Sequence, residues 1–376
     1  MIYCDNNATT ALHAPVRDAM NEALSLYANA SGVYKSARLV REAIESARTS
    51  VASAIGCRAD QLLFNGSGTE ANNQVLKQYI ERKCRVEEKI HVLVSAIEHS
   101  SVIKSATYLR QFGIEVDIIE VHNNGTVNID AYKRLFKPYT KFVSILLANN
   151  ETGVIQDIPT LSKIAHEHNA LFHSDAVQAL GKIPVNVHDL GVDFLTVSSH
   201  KIYGPKGAAA LYVADDDTVL PFMHGGQHER NLRAGTENAV AIIGFQKAVE
   251  LLDTSFFNQH TKILKETFKT GLLASLSDLV FHDHNEGLSN TVSVSFLGIS
   301  GHKLAMNCDL EGIYVSTGSA CAAGSPEPSH VINAYNIDEE TNKSTLRFSF
   351  GLYNTAEEIK TVVEKVSIMV KRMRRI

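Results

Sequence analysis

No CxxC pair occurs among the five cysteines of this 376-residue chain, Cys4, Cys57, Cys84, Cys308 and Cys321. An odd number in no paired pattern argues against a disulfide framework and against a cysteine-built zinc site. The expected compartment is therefore a reducing one, the cytoplasm. No apolar run approaches the roughly 18–20 residues needed to span a bilayer, so no membrane segment is expected. Met1 to Asn7 show no basic region followed by an apolar core, so no secretory signal is expected. Strong charge is absent too. A net charge of −5 excludes a domain whose main business is neutralising nucleic-acid phosphates. No HExxH is present, and the histidines in His166-Glu167-His168, His224-Gly225-Gly226-Gln227-His228 and His282-Asp283-His284 read as loop or helix-face residues, so no metal is expected. No repeat, low-complexity tract or long polar linker interrupts the chain. What remains is an ordinary globular composition, 44% apolar and 20% charged. At ~100–200 residues per domain it makes about two domains.

Helical and strand patterns alternate, which predicts an α/β fold. Ala37, Val40, Ile44, Ala47, Val51 and Ala54 recur at spacings of three and four before Gly56, predicting an amphipathic helix with a glycine stop. Short β-rich runs follow at 62–64, 91–97, 116–121, 142–147, 171–173, 194–197 and 208–213. Their mostly continuous apolar character suits strands buried on both faces of a largely parallel sheet. Helices are predicted between most of them, at 69–83, 100–112 and 159–169. Past about residue 255 the texture changes to a helix near 258–275, strands at 291–297, 313–316 and 345–350, and a last helix opened by the capping box Thr355-Ala356-Glu357-Glu358. The expected organisation is a large domain over 13–255 and a smaller α+β domain made of 1–12 and 256–376.

Ligands of an open parallel sheet sit beyond the carboxyl ends of its strands. Asn65-Gly66-Ser67-Gly68-Thr69-Glu70 follows the first strand and precedes a helix, which makes either a phosphate seat or a tight turn capped by Thr69. Glu98-His99-Ser100-Ser101 offers a histidine able to stack on a flat ring or shuttle protons. Asn149-Asn150-Glu151-Thr152-Gly153, taken alone, reads as a polar turn. Asp175 stands where a carboxylate faces the crevice and needs a partner if buried. Lys201, within Ser198-Ser199-His200-Lys201-Ile202-Tyr203-Gly204-Pro205-Lys206-Gly207, is placed to form an imine with an aldehyde if its ammonium pKa is lowered. One ligand uses a phosphate seat, a stacking group, a carboxylate for a ring nitrogen and such a lysine together: pyridoxal 5′-phosphate.

Two further elements lie far along the chain. The run from Ser316 to Ser325 is rich in small residues and reads as a mobile loop carrying a reactive Cys321. Cys4, Cys57, Cys84 and Cys308 read as buried small hydrophobes. Arg347, in an apolar strand, needs an anion: a substrate carboxylate held bidentately or a structural salt-bridge partner.

These motifs resemble those of the cysteine desulfurases, within the fold-type I pyridoxal-phosphate enzymes. The resemblance runs over nearly the whole chain and rests on Asp5-Asn6-Asn7-Ala8-Thr9-Thr10, Gly68-Thr69-Glu70-Ala71-Asn72-Asn73, Glu98-His99, Asn149 to Gly153, Asp175-Ala176-Val177-Gln178, Ser198 with His200 to Gly207, Arg233-Ala234-Gly235-Thr236, Gly318-Ser319-Ala320-Cys321 and Leu346-Arg347-Phe348-Ser349. It implies a large domain with a mixed, mostly parallel sheet of seven strands. It also implies roles. Lys201 bonds the cofactor and moves protons, and Asp175 pairs with the pyridine nitrogen. Gln178 and Asn150 address the ring hydroxyl, Asn150 also lying near substrate, and His99 stacks on the ring and serves as acid and base. Gly68, Thr69, Ser198 and His200 hold the phosphate, with Thr236 reaching in from the second subunit of a homodimer. Arg347 clamps the carboxylate of L-cysteine, and Cys321 takes its sulfur as a persulfide, releasing L-alanine. An acceptor protein, an iron–sulfur scaffold or a thiolation enzyme, then receives the sulfur.

The chain departs from the family pattern at Asn29 to Ala37, where Asn-Pro-Ser-Ser-x-His-x-x-Gly is usual, and at Asn65-Gly66-Ser67, where Thr-Ser-Gly is usual. Selenocysteine lyase, an aminotransferase or a non-catalytic sulfur-relay scaffold are the alternative functions.

Overall fold

The computed structural model describes residues 1–85, 89–283, 286–317 and 328–375. Among them run twelve strands: β1 (Ile2–Tyr3), β2 (Leu62–Asn65), β3 (His91–Ser95), β4 (Glu115–Ile119), β5 (Thr140–Ser144), β6 (Leu171–Asp175), β7 (Phe194–Ser198), β8 (Ala209–Val213), β9 (Leu279–Phe281), β10 (Thr291–Phe296), β11 (Ile313–Tyr314) and β12 (Thr345–Ser349). Seven of them form one sheet in the order β2-β8-β7-β6-β5-β3-β4. Only β8 runs against its neighbours β2 and β7; the other pairs are parallel. The mixed, mostly parallel sheet of the sequence reading is the one observed.

Burial explains the continuous apolar runs. Every residue of β2, β3, β7 and β8 is buried. Helices cover both faces, so alternation would leave polar groups under them. On one face the helix Lys35–Ala54 turns Ala37, Val40, Ile44, Ala47 and Val51 inward. It stops where Gly56 takes φ +74°, a conformation that costs glycine little. On the other face the helices Gly68–Arg85 and Ser100–Leu109 bury Ala71, Val75, Leu76, Val102 and Ala106.

A separate apolar core gathers Cys4 with residues between Leu264 and Val370. It lies between the antiparallel sheet β12-β10-β9 and the helices Thr254–Ser275 and Ala356–Met373. The last helix opens on the anticipated capping box: Thr355 Oγ1 accepts from Glu358 N at 3.2 Å, and Thr355 N donates to Glu358 Oε2 at 3.1 Å. The N-terminal residues belong to this second core through the parallel pair β1 and β11. The chain then crosses at Asp5 to Thr10 to the carboxyl end of β7 in the large sheet. That crossing matters for the site.

Two cysteines differ from expectation. Cys4 and Cys308 are buried, but Cys57 is half-buried and Cys84 is exposed. Cys84 lies near the end of the helix Gly68–Arg85. Among the described residues no helix is long and apolar enough to cross a membrane, and no group of three or more His, Cys, Asp or Glu side chains is arranged to hold a metal ion.

Candidate active site

The carboxyl ends of β5, β6 and β7 lie side by side because the strands are parallel neighbours. The segments that leave them bring together Asn150, Asp175, Gln178, Ser198, His200 and Lys201. The 3₁₀ turn Ser199–Lys201 ends β7 and presents Lys201. Its Nζ donates to the carbonyls of Asn7 at 2.6 Å and Ala8 at 2.7 Å, both on the crossing segment.

Asp175, at the tip of β6, is buried. Its Oδ2 accepts from Asn72 Nδ2 at 2.7 Å and its Oδ1 from Val177 N at 3.0 Å, so the carboxylate is held from two sides. Asn72 Nδ2 also donates to Ser101 Oγ at 2.9 Å, and that hydroxyl meets His99 Nδ1 at 2.8 Å. The backbone N–H of Ser101 donates to the same Nδ1 at 3.2 Å. A nitrogen that accepts carries no proton, which assigns the proton of neutral His99 to Nε2. Burial lowers the His99 pKa; Asp175 opposes that and Lys201 adds to it.

The phosphate end can be tested for fit. Ser198 Oγ is buried and has no hydrogen-bond partner. It lies next to Gly68, where an added Cβ would stand 3.8 Å from Ser198 Cβ and 3.0 Å from Val177 Cγ2. Gly68 starts a helix of 18 residues, whose first N–H groups have no partner within it. An unpaired hydroxyl, a glycine that leaves room, and a helix N-terminus suit a phosphate. His200 closes this end. Its pKa is driven down to about 4 by burial, assisted by Lys201 and Lys206. The residues therefore fit pyridoxal 5′-phosphate: a phosphate seat, a fixed carboxylate for the ring nitrogen and an amine for the aldehyde. Beside Thr69 and His99 a groove of about 460 Å³ opens, walled by Lys77, Lys104 and Tyr108.

Asn7 links these parts. Its backbone O accepts from Lys201 Nζ and from Gln178 Nε2 at 2.8 Å. Its Oδ1 accepts from Lys182 Nζ at 2.9 Å and Asn290 Nδ2 at 3.0 Å. Its Nδ2 donates to Asn150 O at 3.0 Å and Thr291 Oγ1 at 2.8 Å. Arg347 in β12 donates from Nη1 to Asn150 O at 2.9 Å and from Nη2 to Asp5 Oδ1 at 2.6 Å. Its Nε is buried without a partner. The structural ion pair weighed from the sequence is thus present, with Asp5, and the guanidinium sits against the same Asn150 that adjoins Asn7.

Cys321 lies outside the described residues, with Gly318, Ser319 and Ala320. The residues on either side of that segment are at the site. Ser316 pairs with Arg347 through Ser316 N to Arg347 O at 3.2 Å and Arg347 N to Ser316 O at 2.7 Å. Ser329 Oγ donates to Glu151 Oε2 at 2.5 Å, and His330 Nε2 donates to Glu98 O at 2.9 Å. Thr236 is exposed and is not among the groups gathered around Lys201. The sequence reading assigned no part to Asn7, Asn72, Lys182, Glu98 or Glu151. All but Lys182 stood inside quoted motifs, and Lys182 follows Gln178 by four residues.

With this geometry in view, the match to the model of the class-V aminotransferases over residues 2–362 places the fold in one class. The chain belongs to that family and, within it, to the cysteine desulfurases. It is 38% identical to the cysteine desulfurase IscS of Dictyoglomus turgidum, the match covering 100% of this chain and 96% of that one. It is 37% identical to the IscS of Methanosarcina thermophila, over 99% of this chain and 93% of the other. A solved NifS-like protein superposes with a TM-score of 0.92 at 32% identity over 99% of both chains. Pyridoxal 5′-phosphate is accordingly the cofactor of this chain, as its residues suit.

Proposed function

We propose that this cysteine desulfurase works through Lys201, Asp175, His99, Arg347 and Cys321, taking sulfur from L-cysteine and releasing L-alanine. The observation that carries the reading is the meeting of three groups at neighbouring strand ends: the Lys201 amine, the doubly held Asp175 carboxylate and the unpartnered Ser198 hydroxyl beside Gly68. When bound, the cofactor supplies an electron sink next to the substrate amine. The chain's residues do the rest. Gly68, Thr69, Ser198 and His200 hold the phosphate, and Asp175 keeps the ring nitrogen protonated. Gln178 and Asn150 address the ring hydroxyl, while His99 covers the ring and moves a proton through Nε2. Lys201 moves the substrate α-proton. Arg347 orients the substrate carboxylate, for which Asp5 is the resident anion. The Cys321 thiolate attacks the substrate sulfur; the new S–S bond forms as the C–S bond breaks and its electron pair stays with carbon. A proton delivered there completes alanine, and the sulfur leaves on Cys321 as a persulfide for an acceptor protein.

The same reading divides the chain at about residue 255 and pairs it with a second copy whose Thr236 completes the phosphate seat. Relatives named IscS favour an iron–sulfur scaffold as acceptor over a thiolation enzyme.

The test is direct. Purified protein with cofactor and L-cysteine should yield alanine and add one sulfur atom to the Cys321 peptide. K201A should lower alanine formation about a thousandfold. C321S should end both products; alanine release at the unmodified rate in C321S would remove the cysteine from the mechanism, and amino-group transfer to a 2-oxo acid that C321S spares would favour an aminotransferase.

A further inference from the structure

Lys182 is a buried lysine that the reaction does not use. It is 4% exposed and makes no ion pair among the described residues. Its Nζ donates to Gln178 Oε1 at 2.6 Å and to Asn7 Oδ1 at 2.9 Å. Burial, reinforced by the cations Lys201 and Arg347, holds its pKa well below the ordinary lysine value. Both of its acceptors are side-chain amide oxygens, one on each side. The backbone leaves this amine little choice of place. Gly181 takes φ +76°, and a Cβ there would stand 2.7 Å from Leu252 Cδ2 and 3.0 Å from Ile202 Cγ2. If filling space were all that was required, an apolar side chain of similar length would do so without desolvating an amine.

A side-chain amide has a donor end and an acceptor end, and its neighbours decide which faces where. Among the described residues, the only donor to Gln178 Oε1 is Lys182. That bond turns Gln178 Nε2 toward Asn7 O, the carbonyl that Lys201 Nζ also uses. Asn7 is fixed in the same way, with its acceptor toward Lys182 and Asn290.

We propose that Lys182 is a positioning residue: by donating to Gln178 and Asn7 it makes Gln178 present a hydrogen-bond donor, not an acceptor, to the ring oxygen of the cofactor. This rests on the site reading given above, because it takes Gln178 as the residue that addresses that oxygen. A donor at an anionic ring oxygen stabilises the anion, so the ring competes less well for protons. Losing the donor should raise the pH at which the bound cofactor titrates.

The experiment follows the visible absorbance of pyridoxal 5′-phosphate bound to the holoenzyme, without substrate, against pH. K182M should move the midpoint up by about one pH unit. Q178A should move it by a similar amount, and the double variant no further than either alone. K182Q is too short to reach Gln178 Oε1 and should also move the midpoint; it carries the comparison if K182M does not fold. A midpoint unmoved in the folded lysine variants while Q178A shifts it overturns the proposal. Additive shifts in the double variant overturn it as well, because Lys182 would then act through its own charge. If the unmodified protein binds no cofactor, the site reading itself fails, a different result from either.

Discussion

Glu98 carries a conflict between burial and charge that a single substitution can expose. Its Oε1 accepts from Ser95 Oγ at 2.5 Å and Leu146 N at 2.7 Å, whereas its Oε2 is buried with no partner. Burial pushes its pKa from 4.5 up to about 8, against the pull of the Ser95 and Leu146 hydrogen bonds. The unfolded chain ionises this group near its ordinary value; the folded chain holds the proton until about 8. Its contribution to stability is thus fully present below 4.5 and is lost as pH rises toward 8. E98Q keeps the acceptor oxygen and removes the titration. It should match the parent near pH 4 and be more stable at pH 8 by roughly 2–4 kcal/mol. Urea midpoints at the two pH values check this, and an equal difference at both would show that Glu98 is not held protonated. Glu98 also marks where residue-level reading stops. Lys201, Asp175 and His99 were legible because each stands at or just past the carboxyl end of a strand, and position there is itself information. Glu98, Asn72 and Lys182 draw their roles from partners 48, 103 and 175 residues away, at Leu146, Asp175 and Asn7. No local pattern announces such partners.

The crossing segment Asp5 to Thr10 is the element that joins the two cores to the site. Ser349 N donates to Cys4 O at 2.8 Å on one side, and Thr10 N donates to His200 O at 3.0 Å on the other. Asn7, 1% exposed, sits between with both ends of its amide fully used. N7L fills a similar volume but leaves several polar groups buried without partners. Each such loss costs about 1–3 kcal/mol, so a destabilisation of roughly 3–5 kcal/mol is expected after relaxation. The same variant should weaken cofactor binding, since Lys182, which donates to Gln178, loses its Asn7 Oδ1 acceptor while Gln178 keeps only the backbone carbonyl. Unfolding midpoints and cofactor titration measure the two effects, and unchanged stability would refute the anchoring role. At this scale the sequence was most readable where burial is extensive: β2, β3, β7 and β8 and the helix at 35–54 appeared as apolar runs or spacings, and β4, at the sheet edge with exposed residues, was still marked by its Val and Ile. The helix Ala14–Ala23 escaped notice, having only Val16 and Ala23 buried. So did Gly301–Leu310, whose buried Gly301, Leu304 and Cys308 make a thin stripe. Such short contacts leave too weak a period to stand out.

For the whole molecule, buried histidines set the acid limit of stability. His173 is fully buried between Ser144 Oγ at 2.8 Å and Thr196 Oγ1 at 3.0 Å, and His282 meets Ser295 Oγ at 2.6 Å. Burial drives both pKa values down from 6.5 to about 4. The folded state keeps these rings neutral while the unfolded chain takes up protons below 6.5, so their contribution is present above 6.5 and is lost as pH falls toward 4. Between pH 6.5 and 5 each ring loses about 2 kcal/mol. Glu98 works the other way over that interval and regains a similar amount, about 2 kcal/mol. Two histidines against one glutamate leave a net fall of about 2 kcal/mol, and the lowered pKa values of His99 and His200 deepen it. Stability should therefore drop from pH 7 to pH 5, although a carboxylate is being relieved. H173N separates the terms. It should be less stable than the parent at pH 7, having lost a bonded ring, yet fall by about 2 kcal/mol less on acidification. If the variant and parent fall in parallel, the proton uptake that limits the fold in acid lies elsewhere than at His173.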